Sequence, residues 1–393
     1  MNSRVFLKFI FINIKRNISK YSSIFFIATI LITILLSFIF ISDSIKYDIN
    51  LIIKNQPSVV IQKIHAGKVV DIPQEYEDEL LNINGIKNIT CQVSGKYFYE
   101  PSEEYFTIIG VNFYSKAIQK DLKELSGNID LDKFLSKPYM IVGNGVKQFL
   151  DYYEYKNYYN FRPSDRSVQK LYIYAKFDNR LNIIASDTIV MDISKARRIL
   201  DIKDEYCTNL ALDIPNKNEL TTILDKIKSK YWDIQIITQD DLMTYYSKFF
   251  SYKSSLFLLL YLLLFLTFIL IIYQRYSLVH TTEKKEIAIL RIIGWSIVDI
   301  LKLKVLENSV IFISAFLLAI NLAYLYVFVF NAPLLQNIFL GYLNLSTNVS
   351  FTPVINFSTV YTIFLFFIIP LISIVLYPIW KIAIIQPTKA MQQ

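Results

Sequence analysis

The sequence predicts an integral membrane protein of α-helical type, with four transmembrane helices and one large extracytoplasmic α+β domain between the first and second. Three observations lead there. Of 393 residues, 53% are apolar, above the roughly 45 to 50% of soluble chains. The excess lies in four runs, Ile24 to Ile41, Leu256 to Ile272, Ser309 to Phe330 and Thr359 to Trp380, each long enough for a helix to cross about 30 Å of hydrocarbon. The charges are also partitioned. Segments 1–23, 274–308 and 381–393 hold 5, 6 and 2 Lys or Arg, while 331–357 holds no charged residue. Basic segments stay in the cytoplasm, so both termini and 274–308 are expected there. In 43–253, 28 basic residues face 29 acidic ones, so the net charge of +8 belongs to the cytoplasmic pieces and marks topology.

Segment 1–23 opens with VFLKFIFINIKRNI (5–18), where basic side chains stand between bulky apolar ones, as in a helix lying along the inner membrane surface or, in the plainer reading, the start of a long tilted span. The first span, 24–42, resembles a signal peptide in its basic approach, but it is long and no small-x-small site follows; it reads as a retained span. The external segment 43–253 is large enough for its own core, and its two ends, about 55–100 and 205–240, look alike. SVVIQKI (58–64) reads as a strand, IPQEYEDELLNI (72–83) as a helix and GIKNITCQV (85–93) as a strand; NLALDI (209–214), NKNELTTILDKIKSKY (216–231) and WDIQIIT (232–238) repeat that order. Two βαβ halves from opposite ends predict a split α+β sandwich with a β-rich subdomain inserted. Six aromatics in DYYEYKNYYNF (151–161) form either a ligand or partner surface or, as the favoured reading, the packing of that insert.

The remaining pieces are a second span at 254–273, a cytoplasmic elbow at 274–308, a third span at 309–330, an external connector at 331–357, a fourth span at 358–380 and a cytoplasmic tail at 381–393. Ala315, Ala319 and Ala323 recur every four residues in the third span, a spacing that lets another helix approach closely. Asn321, a polar group in hydrocarbon, is expected to find a partner across a helix interface. Pro370 is expected to kink the fourth span.

Several function classes are excluded. A binder of nucleic acid needs its positive charge on one accessible face, which the neutral external segment lacks. The two histidines, His65 and His280, fall on opposite sides of the membrane, so no metal cluster is expected. H-E-x-x-H and G-x-S-x-G are absent and the external segment has one histidine, so hydrolytic chemistry lacks its usual base and the chain is not expected to be an enzyme. No charged residue lines the middle of a span, which disfavours an ion path. Cys91 and Cys207 both lie outside, where they form either a disulfide or two buried thiols.

The elbow carries the most specific signal. In EKKEIAILRIIGWSIVDI (283–300), Ile287, Ile289, Leu290 and Ile293 are expected to share a helical face, with Glu286 and Arg291 elsewhere. Gly294 stands where a helix ends in a left-handed residue. Ser296 and Asp299 fit a capping box that starts the next helix. Helix, glycine turn and helix, with an exposed Trp295 beside the turn, suit docking on another protein; the plainer reading is a solvated connector.

This segment resembles the FtsX, MacB and LolC/LolE family, the type VII ABC transporter permeases, whose pattern runs R-E-I-G-I-L-R-A-L-G-A-S-x-x-D-I-x-x-x-x-L-x-E. Glu286, Ile287, Ile289, Leu290, Arg291, Gly294, Ser296, Asp299, Ile300 and Glu307 stand at matching positions, and Pro387 to Met391 resemble the closing P-x-x-A-L. Trp295 departs from a small residue, and the alanine stripe replaces the family's glycines. The resemblance implies a MacB-like periplasmic domain and a multi-pass subunit of the bacterial inner membrane, in contact with membrane lipid. It implies pairing with a second permease copy or paralogue and with two copies of a separate ABC ATPase that holds the ATP and Mg, since G-x-x-x-x-G-K-[ST] is absent here. Glu286, Arg291, Gly294, Trp295, Ser296 and Asp299 are the implied coupling residues. A periplasmic adaptor or substrate protein is a further candidate partner. Export or extraction of a lipoprotein, lipid, peptide or small toxic compound is the leading function implied. The alternative is FtsX-like signalling that activates a cell-wall hydrolase.

Overall fold

A computed structural model describes residues 3–54, 56–113, 131–178, 182–277, 281–340 and 350–384. Two compact units make up the chain, one of residues 1–44, 251–332 and 353–393, the other of residues 45–250 and 333–352. Among the described residues, four helices are long and apolar enough to cross a membrane.

The chain opens with α1 (Ser3–Arg16), and α2 (Ile18–Lys54) follows after one residue. At 1.5 Å per residue, the 37 residues of α2 measure about 55 Å, well beyond the roughly 30 Å of a bilayer core. The first span is therefore one part of a longer rod, because Ile45, Ile49 and Ile52 keep an apolar face recurring at helical spacing past the hydrocarbon run.

In the second unit short helices interrupt a succession of strands. They run β1 (Val59–His65), β2 (Lys68–Val70), β3 (Ile72–Pro73), α3 (Glu75–Leu81), β4 (Asn88–Tyr99) and β5 (Glu104–Val111). Next come α4 (Leu131–Ser136), β6 (Tyr139–Val142), α5 (Asn144–Tyr152), β7 (Tyr158–Phe161), β8 (Gln169–Lys176) and α6 (Asn182–Ala185). The unit closes with β9 (Thr188–Asp192), α7 (Ile193–Leu200), β10 (Tyr206–Cys207), β11 (Asn209–Asp213), α8 (Leu220–Lys230) and β12 (Ile234–Thr238).

The strand order β12-β1-β11-β4 interleaves the two ends of the domain, since β1 lies antiparallel between β11 and β12. This is the split βαβ arrangement. Its core gathers Val59, Ile61, Leu80, Ile89, Leu210, Leu212, Ile223 and Ile227 under α3 and α8. The insert differs from a separate β-rich subdomain. It continues the same ten-stranded sheet through β5, β9, β6, β8 and β7, with α5 and α7 contributing to its core. The junction is β4, whose residues 88–92 pair with β11 and whose residues 93–99 pair with β5. Of the aromatics in 151–161, Tyr153, Tyr155, Tyr159 and Phe161 pack on the core of Phe106, Met140, Leu150 and Leu171, whereas Tyr152 and Tyr158 are exposed.

Cys91 on β4 and Cys207 on β10 are disulfide-bonded, with their Cα atoms 5.6 Å apart. Of the two sequence alternatives, the structure shows the bridge. The guanidinium of Arg197 lies beside it, its Nη2 3.6 Å from the Cys91 sulfur and its Nε donating to the Tyr206 carbonyl at 3.1 Å.

The chain returns to the first unit through α9 (Gln239–Ser277), then α10 (Thr281–Ile292), α11 (Ile297–Tyr324) and a π-helical turn at Leu325–Val329. After α12 (Pro333–Leu340), which belongs to the second unit, α13 (Phe357–Ala383) runs through both Pro370 and Pro378. Aromatic rings hold the span helices together: Phe38 on Phe257 at 4.6 Å, Phe265 on Phe367 at 4.6 Å and Phe316 on Phe364 at 5.1 Å. Ala315, Ala319 and Ala323 are buried, on the helix that packs against α13. Asn321 corrects the sequence expectation. Its amide donates one N–H to the Leu317 carbonyl of its own helix at 2.8 Å and is exposed, so the partner among the described residues is a carbonyl one turn back and not a group on a neighbouring helix.

Candidate functional site: the elbow and its root

The elbow is built from two specified helix ends. Gly294 has φ +99°, a left-handed conformation that costs an L side chain roughly 1 to 2 kcal/mol. The N–H of Trp295 reaches the Leu290 carbonyl at 3.0 Å and that of Gly294 reaches Arg291 at 3.1 Å. This pair of bonds is the Schellman ending, with Gly294 at its left-handed position and Trp295 just after it. One residue on, Ser296 Oγ accepts from the Asp299 N–H at 3.1 Å while Asp299 Oδ2 accepts from the Ser296 N–H at 3.2 Å. The capping box starts α11. Only four residues, 293–296, separate α10 from α11 as the second cap follows the first, so the bend has little freedom.

What this bend displays differs from the expected face. Ile287 and Ala288 are buried, and Leu290 is half-buried. Ile289, Ile292 and Ile293 are exposed, Ile293 at 69%, and Val298 is exposed across the turn. Side chains at 289 and 293 lie one turn apart and so share a face that none of the described residues covers, while 287 and 288 turn toward the bundle. Trp295 is half-buried, because it follows the Schellman glycine instead of projecting as the sequence suggested. Arg291 Nη1 reaches the Trp295 carbonyl at 3.4 Å across the turn.

Glu286 does not belong to the exposed face. It forms an ion pair with Arg16 of α1, and Arg16 donates also to Asn13 Oδ1 at 2.9 Å. Asn13 Nδ2 in turn donates to Glu307 Oε1 at 2.5 Å. Glu307 on α11 is 0% exposed. Its second oxygen accepts from the Tyr21 hydroxyl of α2 at 2.9 Å and from Lys304 Nζ at 2.8 Å. An ionised carboxylate withdrawn from water is costly unless paired and hydrogen-bonded, and here three donors surround it. On the next residue, Asn308 accepts from the Tyr276 hydroxyl of α9 at 2.5 Å and donates to the Lys304 carbonyl at 2.8 Å. One turn of α11 thus holds α1, α2 and α9 at the root of the elbow. Glu307 was a pattern match without a role in the sequence; its acid group ahead of an apolar run was the only local signal.

Residues 278–280, with His280, and the terminal Pro387 to Met391 lie outside the described residues. Among the described residues, no group of three or more His, Cys, Asp or Glu is placed to hold a metal.

Residues 257–387 match the family model described as FtsX-like permease C-terminal. Among solved structures, the periplasmic region of MacB from Actinobacillus actinomycetemcomitans is similar at 11% identity and a TM-score of 0.32, over 49% of this chain and 94% of that one. The extracellular domain of the noncanonic ABC-type transporter YknZ from Gram-positive bacteria is similar at 11% identity and a TM-score of 0.30, over 46% of this chain and 99% of that one. No curated protein matches. The elbow, α11, α13, the part of α9 from residue 257 onward and the root residues Glu307 and Asn308 fall within the matched residues, so the closing part of this chain is similar to the FtsX-like permease C-terminal region.

Proposed function

We propose that the chain is the permease subunit of an ABC transporter in the bacterial cytoplasmic membrane, with the elbow inside the cell and the α/β domain outside. An ATPase on a separate polypeptide, two copies per complex with ATP and Mg in its own sites, grips the elbow of this chain and that of a second permease, identical or paralogous. Closure of the ATPase is passed along α9 and α11 and does its work through the external domain. The substrate is an envelope lipoprotein, lipid, peptide or small toxic compound, handled outside the membrane without a hydrophilic conduit between the spans.

The observation that carries this reading is the uncovered apolar face of Ile289, Ile292, Ile293 and Val298 around a turn capped on both sides. A solvated connector needs neither an apolar face nor two determined ends. Nucleotide can shift the permease only if the elbow contacts the ATPase differently in its two states, and a bend with little freedom transmits such a difference. The test is purification of the tagged chain from native membranes with whatever hydrolase accompanies it. Ile289→Asp with Ile293→Asp is expected to lose the hydrolase. Gly294→Pro, and Ser296→Ala with Asp299→Ala, are expected to insert normally but to weaken binding or uncouple hydrolysis. Unchanged binding and coupling in all three would remove the elbow from the mechanism.

A further inference from the structure

We propose that Glu307 is the positioning residue of the elbow, acting through a relay that makes the N-terminal helix part of the transmission. The inference rests on the coupling role given above to the elbow. The relay can be followed residue by residue: Glu286 on α10 holds Arg16, Arg16 holds Asn13, Asn13 holds Glu307 on α11, and Glu307 holds Tyr21 on α2. Both arms of the elbow are therefore fastened to the amino-terminal segment, one at each end of the relay. Tyr276 fastens the root of α9 to the same turn through Asn308.

The consequence is mechanical. Without the relay, a load on α10 would reach the other helices through the chain and through the apolar packing of Ile287 and Ala288, which can slide, and the bonds that tie α10 to α1, and α1 to Glu307 and α2, would be lost at this level. Hydrogen bonds to a buried carboxylate are short-range and directional and give no such freedom. With Glu307 engaged, α1, α2 and α11 move together at this level, joined by α9 through Asn308, and α2 is the rod that continues without a break from its span to Lys54. The carboxylate is the part that cannot be exchanged. It has two acceptor oxygens for three donors, whereas glutamine offers one oxygen and turns an N–H toward Tyr21 and Lys304 or toward Asn13.

Hydrogen exchange on the permease in lipid nanodiscs, first alone and then with the hydrolase that co-purifies with it, tests the proposal. In the permease alone, Glu307→Ala is expected to release α1, so that amides of residues 3–16 exchange about tenfold faster or more. Tyr21→Phe and Asn13→Ala, which remove one bond each and spare the carboxylate, are expected to give smaller changes in the same direction. In the complex, Glu307→Gln is expected to leave the amount of bound hydrolase unchanged, since the exposed face of the elbow is untouched, and to abolish the nucleotide-dependent change in exchange of residues 45–54. Unchanged protection of α1 in all the variants overturns the relay. A released α1 with the nucleotide response of 45–54 intact overturns its role in transmission. Loss of hydrolase from the unaltered chain would instead overturn the coupling role of the elbow, and it is told apart because the release of α1 is read without the hydrolase.

Discussion

At the scale of single residues, Gly294 separates backbone conformation from packing. Nothing lies within 4 Å of where a Cβ would stand, so Gly294→Ala meets no clash and its cost is the left-handed φ alone. It is expected to destabilise the turn by about 1 kcal/mol, which should appear as faster amide exchange confined to residues 290–299. Gly294→Pro would force φ to about −65° and destroy the Schellman ending. Glu77 offers a pH test in the α/β domain. Burial first, and then Asp78 beside it, raise the pKa of its carboxyl above the ordinary value. A raised folded-state value means that the folded chain holds this proton more tightly than the unfolded one, so stability falls as pH rises from the unfolded value through the folded one. Glu77→Gln is therefore expected to raise the melting temperature at pH 7 and to leave it unchanged near pH 3. What was legible at this scale was local. Gly294, Ser296 and Asp299 act within a few residues of one another, and their spacing alone specifies the geometry. The role of Glu307 was not legible, because its partners Asn13 and Tyr21 stand 294 and 286 positions away. Asn321 failed for the opposite reason, since a carbonyl one turn back was an acceptor nearer than any neighbouring helix.

At the scale of elements, periodicity located the two βαβ halves, because α3 and α8 present apolar residues to one side and the flanking strands carry β-branched runs. It did not show that the insert shares their sheet. That depends on β4 continuing past Gly95 with its inward residues still alternating, and on β5 accepting α7 at close range. Gly110 permits that approach: a Cβ there would stand 2.3 Å from the Cβ of Ala196. Gly110→Ala is accordingly expected to push α7 off the sheet and to cost about 1 to 3 kcal/mol, measured by denaturant unfolding of the purified chain. The disulfide fastens the same region from the other end. Cys91 and Cys207 are 116 positions apart, and closing a loop of that length restricts the unfolded chain enough to contribute about 4 to 5 kcal/mol by the chain-entropy estimate. Replacing both by serine should lower the melting temperature of the α/β domain, followed by the near-ultraviolet circular dichroism of its packed tyrosines. Adding reductant to the unaltered protein should reproduce the shift. A serine pair as stable as the original would mean that the core under α3 and α8 holds the two halves without the bridge.

At the scale of the whole molecule, the distribution of charge makes the strongest demand on topology, and the chain supplies its own clean background for testing it. Its only two cysteines are bonded to each other, so an introduced thiol is the one reactive thiol in the protein. Trp232, 91% exposed, sits in the α/β domain between α8 and β12, and Ile293, 69% exposed, sits on the elbow. Positive charge retained on the cytoplasmic side requires these two positions to face opposite compartments. The 5 and 6 basic residues of 1–23 and 274–308 would otherwise have to cross together. A maleimide that cannot cross membranes is expected to label Trp232→Cys in intact cells or spheroplasts and to leave Ile293→Cys unlabelled until the membrane is opened. Labelling of Ile293→Cys from outside would place the elbow beyond the reach of any cytoplasmic ATPase. Labelling of neither position until lysis would put the α/β domain inside and make the balance of 28 basic against 29 acidic residues in 43–253 a property of a cytoplasmic domain. The charge argument requires the first pattern, because thirteen basic residues in three separate segments can all be retained only if the four spans alternate from an inside amino terminus.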